Sequence, residues 1–374
     1  MAAAGGPAAA GGGDARPRRE LRDADLGTAR LARVFKRGGE GGDGGGRVGR
    51  VNSLDFHRRG VGIAAEDLLA AAWDDGALMV VDTARGKAVV TLTSKYGCRA
   101  VRFTHHPKAL LYASQGGGTG DALRDNAVRH HSLYDNSYLQ YFEGHRSQVT
   151  GISLSPVSEG FLSSSVDGTV LMWDLRSSKP LREIDCRYCP KTKRPLAGGH
   201  APLAMYDGAG EVLALGLPGG QIRLYDAEKP ESGPFCQVQI PQEQGHARAM
   251  THLQFSPCSN HILCVIESKI YVLQAYEPCD VVHEFSSGEP TPEAEALGHA
   301  LGLPQANPPE AAFSACGRYV VSGCQDKAVR AWSLESGREV GCWAGHAAAP
   351  RSVAWAPGRA LVASACHAVA LWTL

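Results

Sequence analysis

The sequence has no excess of charge of either sign: 38 Lys and Arg are matched by 38 Asp and Glu. That excludes a whole-molecule basic field for gripping DNA or RNA, and a long acidic tail with it. No apolar run approaches the roughly 18–20 residues of a membrane span. The opening stretch, MAAAGGPAAAGGG, has no basic segment ahead of a leucine-rich one, so it is not read as a signal peptide. Charged residues make up only 20%, too few for a coiled coil or a largely disordered chain, whereas 44% hydrophobic residues can fill a core. The 11 cysteines are an odd number scattered through apolar segments, which suits free thiols better than a disulfide framework. The expectation is a soluble intracellular protein.

Glycine is in excess, with 45 residues, of which 14 fall in the first fifty. Residues 1–28 read as a disordered Ala/Gly-rich head, its Arg16-Pro-Arg-Arg19 tetrad a solvated charge run, and residues 38–46 as a flexible insertion. Between them Ala29-Arg-Leu-Ala-Arg-Val-Phe35 offers one short apolar element in residues 29–36.

From residue 51 one phrase recurs: a turn residue, an aliphatic, then a large residue often followed by Asp. It reads Asp167-Gly-Thr-Val-Leu-Met-Trp173-Asp174 in its fullest form, and Gly219-Gly-Gln-Ile-Arg-Leu-Tyr225-Asp226 in another. The large residues are Val81, His131, Trp173, Tyr225, Leu273, Trp332 and Trp372, spaced by 40 to 59 residues. A Gly-His mark (Gly144-His145, Gly199-His200, Gly245-His246, Gly345-His346) precedes four of them by 25 to 28 residues, counted from the His. Short alternating runs lie between the marks, as strands do. Seven such copies across residues 51–374 resemble the WD40 β-propeller, which implies an all-β, seven-bladed single domain over residues 29–374.

The resemblance gives the third copy a buried tetrad of His145, Asp167 and Trp173 with Ser165, or Ser163, as the hydroxyl. A His–Asp–Ser set also suggests a hydrolase triad. No G-x-S-x-G elbow is present and the set recurs at repeat spacing, so these residues are read as structural and no catalytic residue is assigned. The seventh copy ends on the phrase that forms a third strand, with only Thr373 and Leu374 after Trp372. Ala29 to Phe35 is therefore expected to supply its outer strand.

Several segments go beyond the generic repeat. They are Ser94-Lys-Tyr-Gly97, Val101-Arg-Phe-Thr-His105, the stretch from Ser132 to His145, and Ser153-Leu-Ser-Pro-Val157. Trp173-Asp-Leu-Arg-Ser177, Gly233-Pro-Phe235 and Ala363-Ser-Ala-Cys366 follow in order. Together these resemble the Swd2-type WD-repeat subunits of COMPASS (Set1-type) histone H3 lysine-4 methyltransferase complexes. The likeness covers roughly residues 29–374 and is densest over 91–177. It implies a nuclear, non-catalytic scaffold without cofactor, linked to the phosphorylated tail of RNA polymerase II and to a protein-phosphatase-1 termination complex. Neither sequence-specific nucleic acid nor membrane is an expected partner. Lys95, Tyr96, Arg99, Arg102, Arg129, Arg146 and Tyr138 are the candidate contacts, the cations because phosphate recognition needs clustered Arg or Lys. The aromatic run Tyr134, Tyr138, Tyr141, Phe142 either anchors a partner peptide or packs between blades.

Two other readings compete. Trp173-Asp174-Leu-Arg176 resembles the WDxR box of cullin–RING ubiquitin ligase receptors, with Arg176 reaching an adaptor. Cys186-Arg-Tyr-Cys189 with His200 suggests zinc, but a structural site needs four ligands and no second CxxC exists, so no metal is assigned. Gly116-Gly-Gly-Thr-Gly120 lacks the spacing of a nucleotide-binding loop. The long segments 115–124 and 286–309 fall outside the family pattern.

Overall fold

In the computed structural model, residues 20–36, 49–58, 67–93, 97–106, 108–114, 126–188, 201–241, 250–288 and 310–374 are described. They form seven four-stranded antiparallel sheets. Six are consecutive in the chain: blades 1 to 6 cover residues 51–93, 100–142, 149–185, 203–239, 250–286 and 311–344. In each, the strands run in sequence order from the inner to the outer edge.

Blade 7 is built from both ends. Ser352–Trp355, Leu361–Ala365 and Val369–Thr373 supply three strands, and Arg30–Phe35 supplies the fourth. Leu31 lies opposite Trp372 and Phe35 opposite Val369. The ring is thus closed by the N-terminal element, and the edge that Val369–Thr373 would have left open is paired.

The second strand of blade 1, Leu68–Trp73, is buried at every position. Strand geometry sends alternate side chains to opposite faces. Leu69, Ala71 and Trp73 pack against blade 7, whereas Leu68, Ala70 and Ala72 pack against blade 2. Both faces meet a neighbour, so the strand reads as one apolar run instead of an alternation. Among the described residues there are seven such clusters, one between each pair of adjacent blades. At the inner edge, side chains stitch blades by accepting the next blade's amide. Phe103 N–H donates to Asp55 Oδ2 at 2.7 Å, Tyr206 N–H to Ser153 Oγ at 3.3 Å, and Phe313 N–H to Gln254 Oε1 at 3.1 Å.

One boundary differs from the sequence expectation. Residues 20–28, assigned to a disordered head, are folded onto blade 6. Asp23–Gly27 is a short helix whose Leu26 is 0% exposed and joins the cluster between blades 6 and 7. The buried Trp343 indole donates to Leu26 O at 2.7 Å, and Tyr319 Oη donates to Asp23 Oδ1 at 2.8 Å. A buried indole N–H needs an acceptor, and this segment provides it. Residues 38–46, 115–124 and 289–309 lie outside the described residues.

Candidate functional site

Strand alternation gives the ring two faces. The loop entering each inner strand and the hairpin between second and third strands share one face, here the tetrad face. The remaining hairpins share the other. In blade 3 the entering loop brings His145 to the hairpin that carries Asp167, where Gly168 takes φ +80°, a left-handed turn suited to glycine. Gly144 has its own steric reason: a Cβ there would stand 3.0 Å from the Trp173 ring and 3.1 Å from Leu171.

The tetrad's hydroxyl is Ser163, not Ser165. His145 Nε2 lies 2.7 Å from Ser163 Oγ, and Trp173 Nε1–H donates to the same oxygen at 2.7 Å. The indole only donates, so the Ser163 O–H goes to His145 Nε2 and the ring proton sits on Nδ1. Nδ1 is 3.1 Å from Asp167 Oδ2. Ser163 and Ser165 share a strand face, so alternation alone could not separate them. The imidazole arrives at the depth of Ser163, while Ser165 Oγ donates to Ser147 O at 3.0 Å and accepts from Asp167 N–H at 3.2 Å. Burial alone would raise the Asp167 carboxyl. Hydrogen bonds from His145, Thr169 and the Arg146 N–H outweigh that and hold it well below the usual carboxylate range.

The candidate contact residues divide between the faces. Lys95 and Tyr96 lie outside the described residues. Arg99, on the tetrad face, donates to Gln148 Oε1 at 3.1 Å, and Arg146 is exposed beside Asp167. Arg102 points inward, donating to Ser53 Oγ at 3.1 Å. Arg129 does not serve as a partner contact: it is 0% exposed, donates to Ser114 Oγ, and stacks its guanidinium 5.7 Å from the Tyr141 ring. Its place in the repeat, two residues before the large one, is also that of the buried Leu171 and Arg223, a signal readable in the sequence.

The aromatic run splits. Phe142 is core, 4.8 Å from Phe161 and 5.5 Å from Trp173. Tyr134 is 82% exposed in the opposite-face hairpin. On the outer strand Ser137–Phe142, a register shift skips Leu139, so Tyr138 lies opposite His131 and Tyr141 opposite Arg129. That bulge puts both tyrosines on one side, with ring centroids 5.3 Å apart and partly exposed.

Arg176 is on the opposite face, its side chain 81% exposed and its guanidinium held by both oxygens of Asp174 at 2.9 and 2.7 Å. A cleft of about 390 Å³ adjoins it, lined by Glu159, Asp174, Leu181 and Tyr206 among others. Cys186 is buried, its thiol pushed up to about 12 by that burial, and Cys189 and His200 lie outside the described residues. Among the described residues no group of three or more His, Cys, Asp or Glu is placed to hold a metal ion. No helix among them is long and apolar enough to cross a membrane.

The family model for the WD domain, G-beta repeat, matches residues 136–174 and 310–333. Anthesis Promoting Factor 1 of Arabidopsis thaliana is 31% identical over 86% of this chain and 86% of its own length. WD repeat-containing protein 82 of Drosophila melanogaster is 28% identical over 94% and 96%. The Set1 complex component swd2 of Schizosaccharomyces pombe is 31% identical over 62% of this chain and 58% of its own length.

Proposed function

The chain belongs to the WD40-repeat family as a Swd2-type propeller, and from that premise we propose a role as a non-catalytic adaptor of a nuclear methyltransferase complex. The complex is COMPASS-like (Set1-type) and acts on histone H3 lysine-4. The likeness to the fission-yeast Set1 complex component carries this reading. Blade 3 supports the non-catalytic part. His145, Ser163 and Asp167 bond as a Ser–His–Asp set does, but Ser163 is 0% exposed and the Trp173 indole occupies its oxygen, so this serine is closed to a substrate.

The adaptor links this complex to the phosphorylated tail of RNA polymerase II, and also enters a protein-phosphatase-1 termination complex. Arg99 and Arg146 on the tetrad face support phosphate recognition, and the Tyr138–Tyr141 pair supports a peptide contact. Affinity purification of the tagged endogenous protein tests the role. Methyltransferase subunits are expected among the recovered proteins, and recovery of neither these nor phosphatase subunits would sink it.

The second reading, a cullin–RING receptor, is favoured by one observation: Arg176 is exposed beside a cleft. Its guanidinium would first have to leave Asp174. If Arg176→Ala lost a ligase adaptor and kept the methyltransferase, this second role would stand beside the first.

A further inference from the structure

Blade 7 repeats the blade 3 site with one change. Cys366 stands six residues before Trp372, as Asp167 stands six before Trp173. Gly345 and His346 take the places of Gly144 and His145. His346 Nε2 lies 2.6 Å from Ser364 Oγ, and Trp372 Nε1–H donates to that oxygen at 2.7 Å. Ser364 is 0% exposed, and because the indole only donates, its O–H has the imidazole Nε2 as acceptor. The proton of neutral His346 is then on Nδ1, 3.3 Å from Cys366 Sγ.

The backbone N–H groups of His367 and Ala368, in the hairpin that follows, also lower the thiol pKa. An imidazole N–H therefore faces the sulfur that stands where blade 3 places a carboxylate. A thiol proton would meet that donor, whereas a thiolate lone pair accepts from it. We propose that blade 7 holds Cys366 as a thiolate at neutral pH and that this thiolate is a modification site for hydroperoxides.

His346 is the titratable side chain hydrogen-bonded to the sulfur among the described residues. Burial alone would push the thiol up. The His346 hydrogen bond foremost, with the Ala368 and His367 N–H groups, brings it down to about 6. Other buried cysteines go the opposite way: burial pushes Cys186 and Cys324 up to about 12. Cys366 itself is 5% exposed, beneath the half-exposed His367 and Ala368, so the site requires a hydroperoxide small enough to pass that hairpin.

In the reaction the thiolate attacks one oxygen of hydrogen peroxide, forming S–O as O–O breaks. Sulfur loses two electrons, the peroxide gains them, and the departing hydroxide takes a solvent proton and leaves as water. The sulfenic acid so formed releases its proton to solvent, and a second peroxide oxidises the sulfenate to sulfinate with the same balance. The sulfinate carries one negative charge over two oxygens, the acceptor pattern of Asp167.

The test compares the ultraviolet thiolate absorbance of the full chain with that of Cys366→Ser between about pH 5 and pH 9. One extra thiolate is expected in the unmodified chain at neutral pH, lost on acidification around the Cys366 value of about 6. His346→Gln should move it toward the ordinary value of about 8.5. Equal absorbance of the two chains at neutral pH would overturn the thiolate. Cys366→Asp, which restores the blade 3 arrangement, is the reference if the serine variant fails to fold, and should melt no lower than the unmodified chain. Marked destabilisation by Asp would count against an anion site. Peptide mapping after graded hydrogen peroxide should find one and then two oxygens on Cys366 before the exposed Cys258, Cys316 and Cys342. Oxidation of those three with Cys366 unchanged would overturn the modification site.

Discussion

Leu31 and Trp372 pair across the seam of the ring, so the last blade holds together only through residues from opposite ends of the fold. Trp372 is also the indole that donates to Ser364 and lies 5.7 Å from Trp343, whose own N–H is accepted by Leu26. The N-terminal segment therefore secures blade 6 and completes blade 7.

Three truncations should separate these contributions. Removing residues 1–19 is expected to leave the melting temperature unchanged. Removing residues 1–29 keeps the closing strand but strips the Trp343 indole of its acceptor and takes the buried Leu26 from the cluster, at a cost of at least about 2–5 kcal/mol. Removing residues 1–37 exposes the edge of Val369–Thr373 and should give aggregates in size-exclusion chromatography with light scattering. Identical melting of all three would mean that closure contributes nothing.

Ser163→Ala leaves the buried Trp173 N–H and His145 Nε2 without their shared partner, so urea unfolding should show a loss of about 2–4 kcal/mol. Ser165→Ala removes a bond to the Ser147 carbonyl and one from the Asp167 N–H, and should cost only about 1 kcal/mol. The reverse order would restore Ser165 as the tetrad's hydroxyl.

Along the aromatic run, Phe142→Ala should destabilise by about 3–5 kcal/mol, because the ring fills the interface of blades 2 and 3. Tyr134→Ala should change stability by less than about 0.5 kcal/mol. Chemical denaturation of both variants checks the contrast.

Two groups contribute to the acid response in separate pH windows. His252, on the inner strand Met250–Phe255, is held down to about 4, first by burial and then by the Arg102 charge. The unfolded chain binds this proton from about pH 6.5, so stability should fall as pH drops from there and flatten once the folded imidazole also titrates. Asp167, held below its usual value, contributes stability above about pH 3.9 that is lost on further acidification. Urea midpoints against pH should show His252→Gln reducing the upper slope without touching the lower, and Asp167→Asn reducing the lower without touching the upper.

Much of this ring is legible in the chain because each phrase carries its own local cause. Asp167-Gly168 makes a hairpin, Gly144 makes room for Trp173, and an apolar run such as Leu68–Trp73 marks a strand covered on both faces. The closing strand was legible from the same repeat, since the seventh copy lacked a fourth run. What period-two reasoning could not supply was depth, which decides between Ser163 and Ser165. It also could not show that the Leu26 carbonyl is matched to an indole hundreds of residues away. Arg129 reads as a surface cation on charge alone and is core by its place in the phrase.

The seam has a consequence for synthesis. Arg30–Phe35 leaves the ribosome early and its mate Val369–Thr373 late. At roughly 5–20 residues per second the interval is on the order of half a minute. Throughout it the first-made strand has no partner to pair with, and every unfinished chain presents an open sheet edge. Newly translated molecules are therefore the ones most exposed to edge-to-edge association, and a chaperone that shields residues 30–35 until release would raise the yield of closed rings.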